Sequence, residues 1–273
     1  VLRYCPGMVL ERFRLDDRVA IVTGAGRGIG AASALALAEA GADVVLAART
    51  EDQLNEVAAQ VEALGRKAVV VTADLSDLDQ VAALAQTAVD SLGRLDVVVN
   101  NVGGWMPREF VKTNVASLED AFHFTVSTAH ALTRASLPHL MANDGGSVVS
   151  ISSVMGRISG RGYLAYGTAK AALAHWTRLA ARDLAPRVRV NAIAVGSVAT
   201  SALEIVTGDE GLTAQMEAGT PLRRIGEPDE IAATVLFLAS PAGGYITGKV
   251  VEVDGGIDQP NLDMALPDLG EEL

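Results

Sequence analysis

The sequence predicts an α/β fold: a single-domain, doubly wound parallel sheet with helices on both faces. Three observations carry this. Short β-branched runs alternate with longer Ala-, Leu- and Glu-rich segments, the pattern of parallel strands joined by right-handed crossover helices. The β-branched runs are almost continuously apolar, as strands covered on both faces are. No linker, repeat or low-complexity stretch divides the chain before its tail, and 273 residues suit one large domain.

Strands are expected at 19–23, 43–48, 67–71, 96–100, 147–151, 187–193 and 250–253. Helices are expected between them at 29–40, 52–64, 78–92, 118–141, 162–184 and 229–239. Gly41 and Gly65 stand as C-terminal caps of the first two helices, and Pro228 opens the sixth. Residues 102–117 and 197–225 break the alternation, and loops of that length are usually functional, for example as lids. The domain is drawn over 15–256, with an N-terminal arm at 1–14 and an acidic, Pro-punctuated tail at 257–273 that is expected to wrap a neighbouring surface or be partly mobile.

Composition narrows the function classes. Apolar residues make up 49% and charged residues 20%, enough for a sizeable core and against general disorder. The net charge is −11 with no run of Lys or Arg, so nucleic acid is not an expected partner. One cysteine, Cys5, and four histidines, His123, His130, His139 and His175, show no metal-ligand spacing, and no metal is expected. No apolar run approaches a bilayer span, and the opening residues, broken by Pro6, Glu11 and Arg12, do not read as a secretory signal. A soluble protein of the reducing cytoplasm, with no membrane partner, is expected.

Directly after the first strand comes Thr23-Gly-Ala-Gly-Arg-Gly-Ile-Gly30. Gly24, Gly28 and Gly30 permit a tight turn, close approach to a pyrophosphate, and close packing of helix on strand. The helix that follows, entered through Ile29, aims its free N–H groups and positive dipole end at the phosphates. Between a clear strand and a clear helix, such a turn favours a dinucleotide over a mere bend. Arg27 lies inside the turn, and Arg49 just past the second strand, where Ala48 occupies the place of a ribose-binding carboxylate. Two guanidiniums and no acid suit a 2′-phosphate, so NADP(H) is expected ahead of NAD(H).

Tyr166 and Lys170 stand four residues apart, on one face of a predicted helix. A phenol becomes an acid–base catalyst near neutrality only when its phenolate is stabilised, and an ammonium one turn away does this. Lysine occurs only at 67, 112, 170 and 249 in a chain that otherwise uses arginine, so a compact point charge is wanted at 170. Ser153, just past the fifth strand, can orient and polarise a carbonyl oxygen.

Together these motifs resemble the short-chain dehydrogenase/reductase family, from about Leu15 to Gly256. The resemblance rests on the turn at Thr23 to Gly30, Asp74, Asn100-Asn101-Val102-Gly103, Ser153, Tyr166-Gly-Thr-Ala-Lys170, Val190-Asn191 with Gly196 and Thr200, and Val253-Asp254-Gly255-Gly256. It implies a Rossmann-like fold, with Asp74 and Leu75 beside an adenine and Asn101 and Gly103 near a ribose. It also puts Val198 and Thr200 near the nicotinamide carboxamide, and has Lys170 bind ribose hydroxyls while lowering the pKa of Tyr166. The implied activity is hydride transfer between NADP(H) and a small, apolar ketone or secondary alcohol, in a homodimer or homotetramer. The family's fourth catalytic residue, an Asn, is replaced here by Thr125, which motivates an alternative reading as a catalytically impaired cofactor-binding or scaffolding protein. A nucleotide-sugar epimerase is disfavoured, since no separate sugar-binding segment follows the sheet. By family position Gly104, Trp105, Met106, Met155, Tyr163 and the residues from Val198 onward lie near the substrate. Arg157 and Arg161 would greet an acidic substrate or lie at a subunit contact.

Overall fold

Seven strands lie parallel in one sheet in the order β3-β2-β1-β4-β5-β6-β7. The computed structural model describes residues 8–104, 106–143, 145–262, 266 and 268, the side chains of Ala202 and Ile205 excepted. Cys5 and the rest of the first half of the expected N-terminal arm, Trp105 and much of the tail lie outside the described residues.

The first half runs β1 (Val19–Thr23), α1 (Gly28–Glu39), β2 (Asp43–Ala48), α2 (Glu51–Ala63), β3 (Ala68–Thr72), α3 (Leu78–Leu92) and β4 (Val97–Asn100). The second half runs α4 (Val115–Phe122), α5 (Thr128–Ala142), β5 (Gly146–Ser153), α6 (Leu164–Leu184), β6 (Val188–Val195), α7 (Glu204–Thr207), α8 (Glu210–Ala218), α9 (Pro228–Ala239) and β7 (Val250–Val253). Alternate strand residues face opposite layers. Ala20 and Val22 of β1 pack with Leu37, Leu54, Ile231 and Val235 from α1, α2 and α9. Val19 and Ile21 pack with Leu84, Leu132, Leu140 and Ala181 from α3, α5 and α6. Gly41 and Gly65 take φ of +108° and +77° after the helices they end.

Three expectations shift. β3 begins one residue later than the apolar run suggests, because its register on β2 starts at the pair Val44 and Ala68. β5 and β6 each run two residues further, as one ladder from Gly146 and Val188 to Ser153 and Val195. Serines 150, 152 and 153 are all buried, so the strand continues past the expected end at 151, and Ser152 Oγ donates to the Lys170 carbonyl at 3.2 Å. The single helix expected at 118–141 is two α-helices joined by a π-helical turn, His123–Ser127, in which the Thr128 N–H reaches the His123 carbonyl. Three β-branched residues, Thr125, Val126 and Thr128, crowd this turn, and the wider winding gives them room.

The sheet's opposite edge is fixed by charge. Asp96, 4% exposed, accepts from Val19 N at 3.0 Å and from the guanidiniums of Arg18 and Arg94 at 2.9 and 2.8 Å. Arg189 of β6 donates to the carbonyls of Leu238, Ala239 and Gly243 at 2.6, 3.1 and 3.0 Å, placing a cation at the C-terminus of α9. Strand order reverses between β1 and β4, so the crevice of a doubly wound sheet opens at their carboxyl ends.

Candidate active site

At that crevice β1 turns through Gly24 and Gly28, with φ of +64° and +55°, into α1. A methyl group on Gly30 would lie 2.1 Å from the Gly24 carbonyl oxygen, so no side chain fits where helix and turn meet. Asn101, just past β4, braces the turn: its Nδ2 donates to the carbonyls of Thr23 at 3.0 Å and Gly24 at 3.2 Å. Thr23 Oγ1 accepts from the N–H groups of Asn101 and Val102 at 3.0 and 3.3 Å. Arg27 is the N-cap of α1, and among the described residues no side chain caps the helix, which leaves its opening amides to the crevice. Thr200 closes over the turn, since a methyl on Gly28 would meet its Cγ2 at 3.2 Å. The glycine cradle and uncapped amides fit a dinucleotide pyrophosphate.

Arg27 and Arg49 are both exposed, and Gly26, next to Arg27 in the turn, packs against Gln53 of α2 and Ala48 of β2. Asp74 accepts from Ser76 N at 3.0 Å and Ser76 Oγ at 2.8 Å, and these bonds hold its carboxyl below its ordinary value, with Arg49 a smaller contributor. Leu75 is buried in the core at 4% exposure, so only its main chain is available to a base. Val198 is also buried, bridging to Gly226 where the two ends of the 197–225 segment meet.

The reactive cluster forms where β5 ends and α6 begins. Ser153 Oγ accepts from Met155 N at 3.2 Å and shares a hydrogen bond with the Tyr166 phenol. Lys170 is 2% exposed; its Nζ donates to the Ile151 carbonyl at 2.7 Å and stands 5.7 Å from the centre of the Tyr166 ring. Burial lowers the ammonium to about 8. Tyr166 differs from expectation: its phenol is raised, chiefly by burial, with the Ser153 hydrogen bond pulling it down and nearby Tyr163 adding to the rise. The ammonium held at the Ile151 carbonyl does not offset that burial.

Gly103 lets the main chain approach both Lys170 and Thr125: a methyl there would lie 2.8 Å from Lys170 Nζ and 3.5 Å from Thr125 Oγ1. Thr125, 1% exposed, reaches this position through the π-helical turn. Asn114, by contrast, caps α4 by accepting from Ser117 N at 2.9 Å. Among the histidines, His123 Nε2 lies 2.8 Å from the Ser76 carbonyl and His130 receives the Trp176 N–H at 3.3 Å, both packing roles.

Apolar groups pack around the residues that lead into α6. Around Gly160, a methyl would meet Met155 Cε at 2.9 Å, Pro260 Cγ at 3.0 Å and Tyr163 Cδ2 at 3.2 Å. Around Gly162 it would meet Leu266 Cδ1 at 2.9 Å and Pro107 Cβ at 3.3 Å. Met106 is 67% exposed, Gly104 has open space beside it, and Trp105 lies outside the described residues. Arg157 and Arg161 turn to the chain's own tail. Arg157 donates to the Ile257 carbonyl at 2.8 Å and pairs with Glu252 at 3.0 Å, and Arg161 pairs with Asp268 at 3.0 Å. Sequence reasoning missed three features: the π-helical turn, the Ile151 carbonyl under Lys170, and Asn261. Backbone geometry and a tail asparagine leave no periodic signal.

A family model described as Enoyl-(Acyl carrier protein) reductase matches residues 24–258. The uncharacterized oxidoreductase MT0954 of Mycobacterium tuberculosis (strain CDC 1551 / Oshkosh) is 59% identical over 263 residues, covering 96% of this chain and all of the relative. A solved structure of 7 alpha-hydroxysteroid dehydrogenase complexed with NADH and 7-oxo glycochenodeoxycholic acid superimposes with a TM-score of 0.87 at 35% identity, covering 92% of this chain and 98% of the other. The Pseudomonas aeruginosa RhlG/NADP active-site complex superimposes with a TM-score of 0.84 at 34% identity, covering 90% and 98%. With its crevice, glycine turn and Ser–Tyr–Lys cluster, the chain belongs to the short-chain dehydrogenase/reductase family and is an oxidoreductase of that family.

Proposed function

We propose that the chain transfers hydride between NADP(H) and a small apolar ketone or secondary alcohol, with Tyr166 as acid and base. The observation that carries this reading is the Ser153–Tyr166–Lys170 cluster beside an apolar mouth of Met155, Tyr163, Pro107, Pro260 and Leu266. When bound, the nicotinamide supplies or accepts the hydride. In reduction Tyr166 gives its proton to the carbonyl oxygen as the alcohol forms, and Ser153 donates a hydrogen bond to that oxygen. Buried Lys170 carries the positive charge that the remaining phenolate requires, and its ammonium is the group to hold ribose hydroxyls. Gly24, Gly28, Ile29 and Gly30 would cradle the pyrophosphate, Asp74 and the Leu75 main chain would hold the adenine, and Asn101, Gly103, Val198 and Thr200 would complete the cofactor's binding residues.

Arg27 and Arg49, with Ala48 where an acid would serve NAD(H), support the phosphorylated cofactor. One relative was solved with NADH and another with NADP, so the preference rests on these two arginines. Titrating NADPH and NADH by fluorescence tests it. Arg49→Asp is expected to weaken NADPH about 10- to 100-fold, the worth of one charge-assisted hydrogen bond, and to spare NADH. An unaltered preference removes Arg49 from the site.

Thr125 favours a second reading, a cofactor-binding or scaffolding protein with impaired turnover, against which the intact cluster stands. We also propose self-association into a dimer or tetramer, supported by Phe122 on α4 and Leu164 and Leu179 on α6, which are 46%, 38% and 54% exposed. A cytoplasmic location fits a reducing NADPH pool.

A further inference from the structure

Residues 197–225 leave the sheet after β6 and return before α9. They are clasped at their ends by Ala199 N donating to the Gly226 carbonyl at 2.8 Å and Gly226 N donating to the Ser197 carbonyl at 2.9 Å. Between those ends lies Thr200, which closes on the glycine turn, and then α7 and α8, whose far end carries buried Met216 and Thr220. A second fastening comes from outside the segment. Asn261 Nδ2 donates to Thr220 Oγ1 at 2.8 Å and lies 3.4 Å from the Met216 carbonyl. Ser197 Oγ sits 3.2 Å from Asn261 Oδ1 and 3.0 Å from Nδ2. One side chain therefore grips both the root of the segment and the end of α8. The fit is close, since a methyl on Gly219 would meet the Asn261 carbonyl oxygen at 2.8 Å.

The residues on either side of Asn261 are tied to the other wall of the mouth. Ile257, 2% exposed, gives its carbonyl to Arg157, and Pro260 and Leu266 pack at Gly160 and Gly162, directly before Tyr166. The tail thus spans from the 197–225 segment to the start of α6, with an apolar surface at the mouth. The described tail residues thus pack against their own chain.

We propose that Asn261 is a positioning residue that sets how closely the 197–225 segment lies over the substrate mouth, and so limits the size of the apolar substrate admitted. This rests on the carbonyl-reductase reading above. The side chain acts through Ser197 and Thr220 and has no role in proton transfer. Its loss therefore changes substrate discrimination and leaves the rate of the chemical step intact.

The test compares the full-length protein with Asn261→Leu, of similar volume without the hydrogen bonds, and Asn261→Gln. Amide hydrogen exchange reads the fastening independently of catalysis. In Asn261→Leu, exchange in α7 and α8 is expected to rise about tenfold, equivalent to 1.4 kcal/mol, with the sheet unchanged. Steady-state kinetics with NADPH then compares a small ketone such as cyclohexanone with a fused-ring ketone. The KM ratio of the two is expected to change at least fivefold in Asn261→Leu with kcat held within twofold, and Asn261→Gln is expected to recover part of the difference. Unchanged exchange overturns the fastening. Raised exchange with an unchanged KM ratio, or equal loss of kcat for both ketones, overturns the role in selectivity. Failure of the wild-type protein to reduce any ketone overturns the functional reading instead, and leaves the exchange result standing.

Discussion

Lys170 sits under the reactive cluster with its ammonium lowered from 10.5 to about 8 by burial, a displacement worth about 3 kcal/mol between its two charge states. Because the folded chain binds its proton more weakly than the unfolded chain does, this cost is fully present below about pH 8 and is relieved as pH rises towards 10.5. Lys170→Met removes the buried charge and leaves the Ile151 carbonyl without its donor, which offsets part of the gain. The variant is expected to be about 1–2 kcal/mol more stable at pH 7, with the advantage shrinking by pH 10, as thermal melts at both pH values would show. The same substitution is expected to abolish turnover. The Tyr166 and Lys170 types and their spacing were legible in the sequence because a helix places residues four apart on one face. The raised phenol was not legible, since burial depends on tertiary neighbours such as Ser153 and Tyr163 that spacing along one helix does not reveal.

Among the elements, the strand ends nearest the site were the hardest to read. The buried serines of β5 find interior partners that local patterning does not reveal: Ser152 Oγ donates to the Lys170 carbonyl, eighteen residues distant, and Ser150 Oγ accepts from Asn100 Nδ2. The π-helical turn was likewise not read, since β-branched residues such as Thr125 and Val126 also occur within ordinary α-helices, and it is this turn that brings Thr125 to Gly103 and Lys170. Alternation of type was plain throughout, and the first two strands, α3 and β7 fell within their expected limits. On the edge away from the site, Asp96 holds β1 and β4 in register through Val19 N and two arginines. Both arginines are about a third exposed, which weakens the ion pairs, so the buried main-chain bond carries much of the effect. Asp96→Ala is expected to cost about 2 kcal/mol in urea unfolding, with nicotinamide-cofactor affinity unchanged in the folded protein.

For the whole molecule, the order β3-β2-β1-β4-β5-β6-β7 follows from a chain that winds one way from β1 and then returns to wind the other, and the site falls where the direction changes. Sequence alternation suggested the doubly wound parallel sheet, though not its strand order. It did not identify what the tail, expected to wrap a neighbouring surface, would pack against, because Asn261, Pro260 and Leu266 act through partners 40 or more residues away. Among the described residues no helix is long and apolar enough to cross a membrane, and no group of three or more His, Cys, Asp or Glu is placed to hold a metal ion. The apolar residues exposed on α4 and α6 belong to this scale too. Sedimentation velocity is expected to show a dimer or tetramer, and Phe122→Glu combined with Leu179→Glu is expected to shift it towards monomer.

The role of Tyr166 is tested most directly by single-turnover oxidation of NADPH with an apolar ketone, comparing the wild type with Tyr166→Phe at matched cofactor occupancy. The expected result is a rate reduced by about 10²- to 10⁴-fold, the usual worth of a positioned general acid, with NADPH affinity within threefold of wild type. A Tyr166→Phe protein that oxidises NADPH at the wild-type rate would contradict the account.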